Sequence, residues 1–241
     1  MLDNILDKKT YGPDAKAMSK EFFASVYTYM FVALLSSGAI AYYTASSGKV
    51  FEWFVNLSTG SVSPLFYVVV FAPVGLGLLL QMAYNKLSMG LLLILFLAYS
   101  CLMGLSLSTL FIVYSLGDIV TTFFVTAGAF AGMAILGYTT KTDLSKMGSL
   151  LYMVFIGMFI AGILNFLVFE SSMMSFVISI LGVIVFTGLT AWEMQRLKYI
   201  AEDPALEGVQ KQKLALIGGL ILYILFINLF VSLLRLLGGN D

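Results

Sequence analysis

The chain contains no histidine, a single cysteine at Cys101 and only four prolines, and 11% of its 241 residues are charged. Without histidine, the usual zinc, haem and Cys/His catalytic sets cannot be assembled from this chain, and one cysteine cannot close an intramolecular disulfide. Thirteen Lys and Arg balance thirteen Asp and Glu, so there is no surplus of positive charge to attract nucleic acid. Gly75 and Gly77 sit in an apolar run with no strand before them and no third glycine, which argues against a dinucleotide loop. With no nucleophile–base pair and no internal repeat, a membrane enzyme or an active transporter ranks last among the function classes. No cofactor is expected.

Hydrophobic residues make up 60% of the chain, far above the norm for a soluble globular domain. This composition indicates an integral protein of the lipid bilayer. A hydrocarbon core about 30 Å thick needs about 20 apolar residues per helix. Seven such stretches are present, at Glu21–Tyr43, Leu65–Tyr84, Leu87–Leu110, Val120–Tyr138, Met147–Val168, Met173–Met194 and Leu214–Leu237. A membrane β-barrel would show short segments of alternating polarity, whereas these are solid runs. Residues 1–20 are polar and charged, unlike the apolar core of a signal peptide. The expected organisation is therefore an amino-terminal arm, 1–20, followed by a seven-helix transmembrane domain, 21–241.

Loops rich in Lys and Arg stay on the cytoplasmic side. Eleven of the thirteen cations fall in the amino-terminal tail and the second, fourth and sixth loops. The first, third and fifth loops hold Lys49 alone, and Arg235 lies inside the last segment. The pattern places the amino terminus in the cytoplasm and, if all seven segments cross, the carboxyl terminus outside. A re-entrant seventh segment competes with full crossing, because Asn228 and Arg235 make it the least lipid-like of the seven.

Helices in lipid associate through close backbone approach. Gly128 and Gly132 form a GxxxG in the fourth segment, and Gly157 with Ala161 forms its small-residue counterpart in the fifth; both are expected to mark helix–helix contacts. The two long polar connections are Thr44–Pro64 and Gln195–Lys213, the latter read as a cytoplasmic loop.

Glu193 is the one carboxylate on the apolar run from Met173 to Met194, and a charge at the edge of hydrocarbon needs a reason to be there. At about 100° per residue, Ser175, Ser179, Gly182, Thr190 and Glu193 share one stripe, and Asn228, Ser232 and Arg235 share a face of the seventh segment with Leu225. These polar faces should meet inside the bundle or line a watery cavity. The bland alternative makes Glu193 an interfacial residue paired with Arg196 in a surface contact of small worth, with Asn228 and Ser232 as interhelical glue. Arg235 needs a partner, for which Asp241 is the local candidate, or it snorkels to the headgroups.

The run Gly188–Lys198 (GLTAWEMQRLK), followed by Leu222–Arg235 (LYILFINLFVSLLR), resembles the carboxyl-terminal signature of the Bax inhibitor family of membrane proteins. Gly137–Ser145 (GYTTKTDLS) and Met103–Tyr114 (MGLSLSTLFIVY) resemble its bacterial branch. The resemblance implies a seven-helix bundle with the last helix central, enclosed by the other six. It also implies a pH-sensitive leak of calcium or other cations, or control of a membrane protease or cell-death partner, and a place in the bacterial inner membrane. Family members credited with the leak carry two acidic residues that share a proton, one on each of the last two helices. The first matches Glu193; the second falls on Leu225, which cannot ionise. A basic latch is expected near the cytoplasmic end of the second helix, where Lys86 is the nearest residue, with Arg196 and Arg235 the other candidates for latching or gating.

Two readings stay open. One is a cation leak channel with Glu193, Thr190, Asn228 and Ser232 along the ion path. The other is a regulatory interaction protein that binds a membrane protease or stress-response partner through the arm or the Gln195–Lys213 segment without conducting ions.

Overall fold

The computed structural model describes residues 13–54 and 61–238. Helix α1 covers Pro13–Ser46, and proline opens α3 (Pro64–Ala83), where a missing N–H costs nothing because the first turn has no intrahelical acceptor. Serine caps three more. Ser88 accepts from the Leu91 amide at the start of α4 (Met89–Leu107), Ser115 from Asp118 at the start of α6 (Leu116–Thr139), and Ser171 from Met174 at the start of α8 (Ser172–Glu202). Such caps contribute about 1 kcal/mol each. The short helices α2 (Lys49–Phe54) and α5 (Leu110–Val113) lie in connections, α7 covers Ser145–Leu164, and α9 covers Gly208–Leu237.

Seven helical segments are long and apolar enough to span a bilayer, and each overlaps one of the seven runs read from the sequence. α9 is one unbroken helix of 30 residues, about 45 Å long, so it has the length to cross completely. Its apolar window is 72% buried inside the protein, against 6% to 33% for the other six, which makes it the axis of the bundle.

The enclosure is less even than a ring of six. α9 packs along α8 and α1, then α6, with a smaller contact to α4; α3 packs chiefly on α4, and α7 on α8. These contacts leave α9 least covered between α4 and α8, flanked by α3 and α7. The aromatic rings of Phe66 and Phe166 meet 6.5 Å apart across that flank.

Three sequence expectations change. Gly128 and Gly132 are exposed, and a Cβ on either would meet no described atom within 4 Å; the same holds for Gly157. These glycines face outward and mark no contact among the described residues. Close approach is achieved elsewhere: a Cβ at Gly137 would strike the Ala191 carbonyl, and one at Gly148 the Trp192 ring, seating α6 and α7 on α8. Secondly, most of Gln195–Lys213 is helix, since α8 runs to Glu202 and α9 starts at Gly208. Long amphipathic helix ends need not stop at the membrane edge, so polarity alone misplaced that boundary. Thirdly, Pro13–Lys20 of the expected arm already belongs to α1; residues 1–12, with Lys8 and Lys9, lie outside the described residues.

Candidate functional site

The central feature is a two-bonded ion pair. Arg196 Nε donates to Glu193 Oε2 at 2.8 Å and Arg196 Nη2 to Glu193 Oε1 at 2.6 Å. The residues are three apart on α8, so the helix itself sets the pair on one face. Glu193 is only 1% exposed while the Arg196 side chain is 34% exposed. This corrects the expectation of a surface contact: the carboxylate is buried, and the guanidinium reaches from it toward the open side. Tyr84, just after α3, and Tyr152, on α7, lie close enough to Arg196 to interact with it electrostatically. The pair thus sits between α8 and the two flanking helices.

α8 and α9 run antiparallel, and two close approaches fix their register. A Cβ at Gly182 would overlap the Ser232 hydroxyl, and one at Gly218 would overlap Leu197 Cδ2. This register puts Glu193 level with Ile221 and Leu222, and Leu225 level with Leu189 and Thr190. Leu225 is 5% exposed and lies on the stripe of α9 that faces α8. The position expected to carry a second acid therefore points at α8 about one turn, or about 5 Å, from the level of Glu193, and it holds a hydrocarbon side chain.

The other sequence candidates divide cleanly. Thr190 is fully buried and donates to the Phe186 carbonyl at 2.7 Å. Ser232 donates to Asn228 O at 2.7 Å, and Asn228 Nδ2 to Ile224 O at 2.8 Å. Each donates within its own helix, and none makes a side-chain bond to another helix among the described residues. Asn228 is half-buried, on a stripe with Ile221, Ile224, Val231 and Arg235 that is the least covered part of α9. Lys86 is exposed in the α3–α4 turn and makes no side-chain bond or ion pair with a described residue. Arg196, from the carboxylate's own helix, is the cation beside Glu193.

The Arg235 end of this stripe opens into two cavities of about 660 and 460 Å³ that share Ser172, Ser175 and Arg235. Ser179 lines the larger, and Glu170 with Asn165 the smaller. Arg235 is exposed and forms no ion pair with a described residue; Asp241 lies outside the described residues. Asn165 shapes this end, donating to Ser171 O and Ser175 Oγ and accepting from the Ser171 amide. It sits in a single π-helical turn, Asn165–Phe169, closed by Glu170 in a left-handed conformation with φ 46°.

Sequence reasoning passed over Gln195. It is buried, its Oε1 accepts from the Leu144 amide and its Nε2 donates to the Thr142 carbonyl, both at 2.8 Å. Gln195 thereby ties the α6–α7 connection to α8, two residues from Glu193. An amide closing an otherwise apolar run, directly after Glu193 and Met194, was the available signal. In the same connection Asp143 has its carboxyl held below the usual aspartate range, first by the Ser145 hydroxyl, then by the Ser145 amide, with Lys146 adding to both.

The family model described as "Inhibitor of apoptosis-promoting Bax1" matches residues 19–241. The inner membrane protein YbhL of Escherichia coli K12 is 40% identical over 226 residues, covering 93% of this chain and 94% of YbhL. An uncharacterized protein of Borreliella burgdorferi is 41% identical over 225 residues, covering 92% and 93%, and the uncharacterized protein RP147 of Rickettsia prowazekii is 36% identical over 224, covering 92% and 90%. With the match running from the first span through the Glu193 helix to the central α9, this chain belongs to the Bax inhibitor family of membrane proteins.

Proposed function

We propose that the protein is a cation leak channel, with calcium its expected ion, in a bacterial inner membrane, and that it acts without enzymatic chemistry. The observation that carries this reading is the Glu193–Arg196 pair: a buried carboxylate beside the least covered stripe of the central helix, neutralised by a guanidinium that is itself partly exposed. While the pair holds, Glu193 offers a cation no net charge. When Arg196 swings toward the open side, the carboxylate is left facing the Asn228 stripe, and an entering cation can replace the guanidinium as its partner. Serine hydroxyls at Ser175 and Ser179 supply oxygen at the far end. Arg235 there opposes cations, and Glu170, which lines one of the same cavities, offsets its charge.

The orientation belongs to the same proposal. The amino terminus faces the cytoplasm, supported by eleven of thirteen cations on that side, and the inner-membrane placement is supported by the printed name of the E. coli relative. The test is calcium entry into proteoliposomes for Arg196→Gln. Removal of the guanidinium should raise basal flux above wild type, because the carboxylate then has no resident partner. A variant that folds and leaks no more than wild type contradicts the role assigned to the pair.

A further inference from the structure

α1 and α6 both pack on α8 and α9 but make no extended contact with each other. The gap between them is a groove of about 860 Å³ on a different side of α9 from the stripe left open between α4 and α8. Its floor is formed by Met194 of α8 and Phe226 of α9, and small side chains at Ala127, Ala131 and Ala134 of α6 give it depth. Along α1 it extends from Ser19 to Leu34, about 22 Å of rise, which is most of the hydrocarbon thickness of about 30 Å. The Tyr27 hydroxyl in its wall donates to Met194 Sδ at 3.7 Å and so asks nothing of an occupant. The walls suit hydrocarbon.

Polarity is confined to one end. Ser19, Lys20, Tyr138 and Thr139 line it there. Lys20 is exposed and makes no ion pair with a described residue. Lys198 occupies the same corner: its Nζ donates to the Tyr138 carbonyl at 3.0 Å and lies 5.2 Å from the centre of the Tyr138 ring. Glu21 follows Lys20 on an adjacent, exposed face of α1, and Asp143 is engaged by Ser145. A long apolar trough closed at one membrane surface by two lysines and a tyrosine has the charge distribution of a phospholipid with the signs reversed at the head.

We propose that the α1–α6 groove is a binding site for an anionic phospholipid of the leaflet on the amino-terminal side, with an acyl chain in the trough and the phosphate at Lys20 and Lys198. The site is independent of conduction. Occupancy would fill the gap between α1 and α6 over α9, so the lipid would complete that side of the bundle wall.

Native mass spectrometry of the full chain in detergent, titrated with phosphatidylglycerol or with phosphatidylcholine of the same acyl chains, tests this. Wild type should retain one phosphatidylglycerol in preference to phosphatidylcholine. Lys20→Gln should weaken that retention about fivefold, the worth of one lysine beside an anionic surface, and leave phosphatidylcholine unaffected. Ala131→Phe places a ring in the trough from an exposed position and should abolish retention of both while the protein stays monodisperse. Equal retention of the two lipids by wild type, or unchanged retention in both variants, would overturn the proposal. So would a lipid-free dimer, which assigns the groove to a second copy, or retention that appears only after residues 1–12 are removed, which assigns it to the arm.

Discussion

Leu225 of α9 and Glu193 of α8 lie on facing stripes of two antiparallel helices, about one turn out of level, in the register set by Gly182 against Ser232 and Gly218 against Leu197. Glu193 already holds Arg196 through two hydrogen bonds, and a second carboxylate within about 4–6 Å would create a pair that cannot both ionise cheaply. Leu225→Asp should therefore give calcium flux a dependence between about pH 5 and 8 that wild type lacks or shows weakly. The sign follows from the shared proton: it is bound as pH falls and lost as pH rises, so the two ends of that window must differ in flux. A folded variant with the wild-type profile would mean that positions 193 and 225 do not interact.

The register itself is open to a double-mutant test. Gly182→Ala puts a methyl where Ser232 Oγ now lies, and overpacking of this kind costs about 1–3 kcal/mol. Ser232→Ala removes the obstructing hydroxyl, so Gly182→Ala should cost clearly less in that background. Thermal unfolding in detergent of the four proteins reads the coupling; strict additivity would show that the two residues are not in contact.

Stability should respond unequally to the two halves of the ion pair. Arg196→Leu strands a carboxylate that is 1% exposed, a change worth about 3–5 kcal/mol when both partners are fully buried; with the guanidinium a third exposed, the loss should be smaller but still well above that of Glu193→Gln. The glutamine keeps the shape and one acceptor oxygen. Unfolding monitored by tryptophan fluorescence decides the order, and a Glu193→Gln protein less stable than Arg196→Leu would show that the carboxylate's charge is itself a structural necessity.

Orientation can be read by cysteine labelling from outside intact cells in a Cys101→Ser background. A cysteine at Ser47, exposed in the turn before α2, should label strongly, and one at Ala205, exposed between α8 and α9, should not. The reverse result would invert the topology.

Much of the architecture could be read from composition because spanning a bilayer is a length constraint, and length is explicit in a sequence. The seven runs, the family and the pairing of Glu193 with Arg196 were all visible there. Burial of the Glu193 carboxylate was not, since the same i, i+3 spacing serves a surface contact equally well and only the α9 partner decides. The outward face of Gly128 and Gly132 was hidden for the same reason: a small residue permits close approach without specifying a neighbour. Gln195 was overlooked because its partners, Thr142 and Leu144, are some fifty residues away in the chain, and the lysine-closed groove between α1 and α6 exists only once both helices are set against α9.

In the proposed channel, conduction depends on the Glu193 carboxylate. Calcium entry into liposomes containing purified wild type, Glu193→Gln or no protein measures it directly, with tracer uptake recorded across a range of pH. Uptake by wild type should exceed that of empty liposomes, and Glu193→Gln should lose it clearly while folding stays intact. Uptake by the folded glutamine variant equal to wild type at every pH, or wild-type uptake no greater than that of empty liposomes, would contradict the proposed channel.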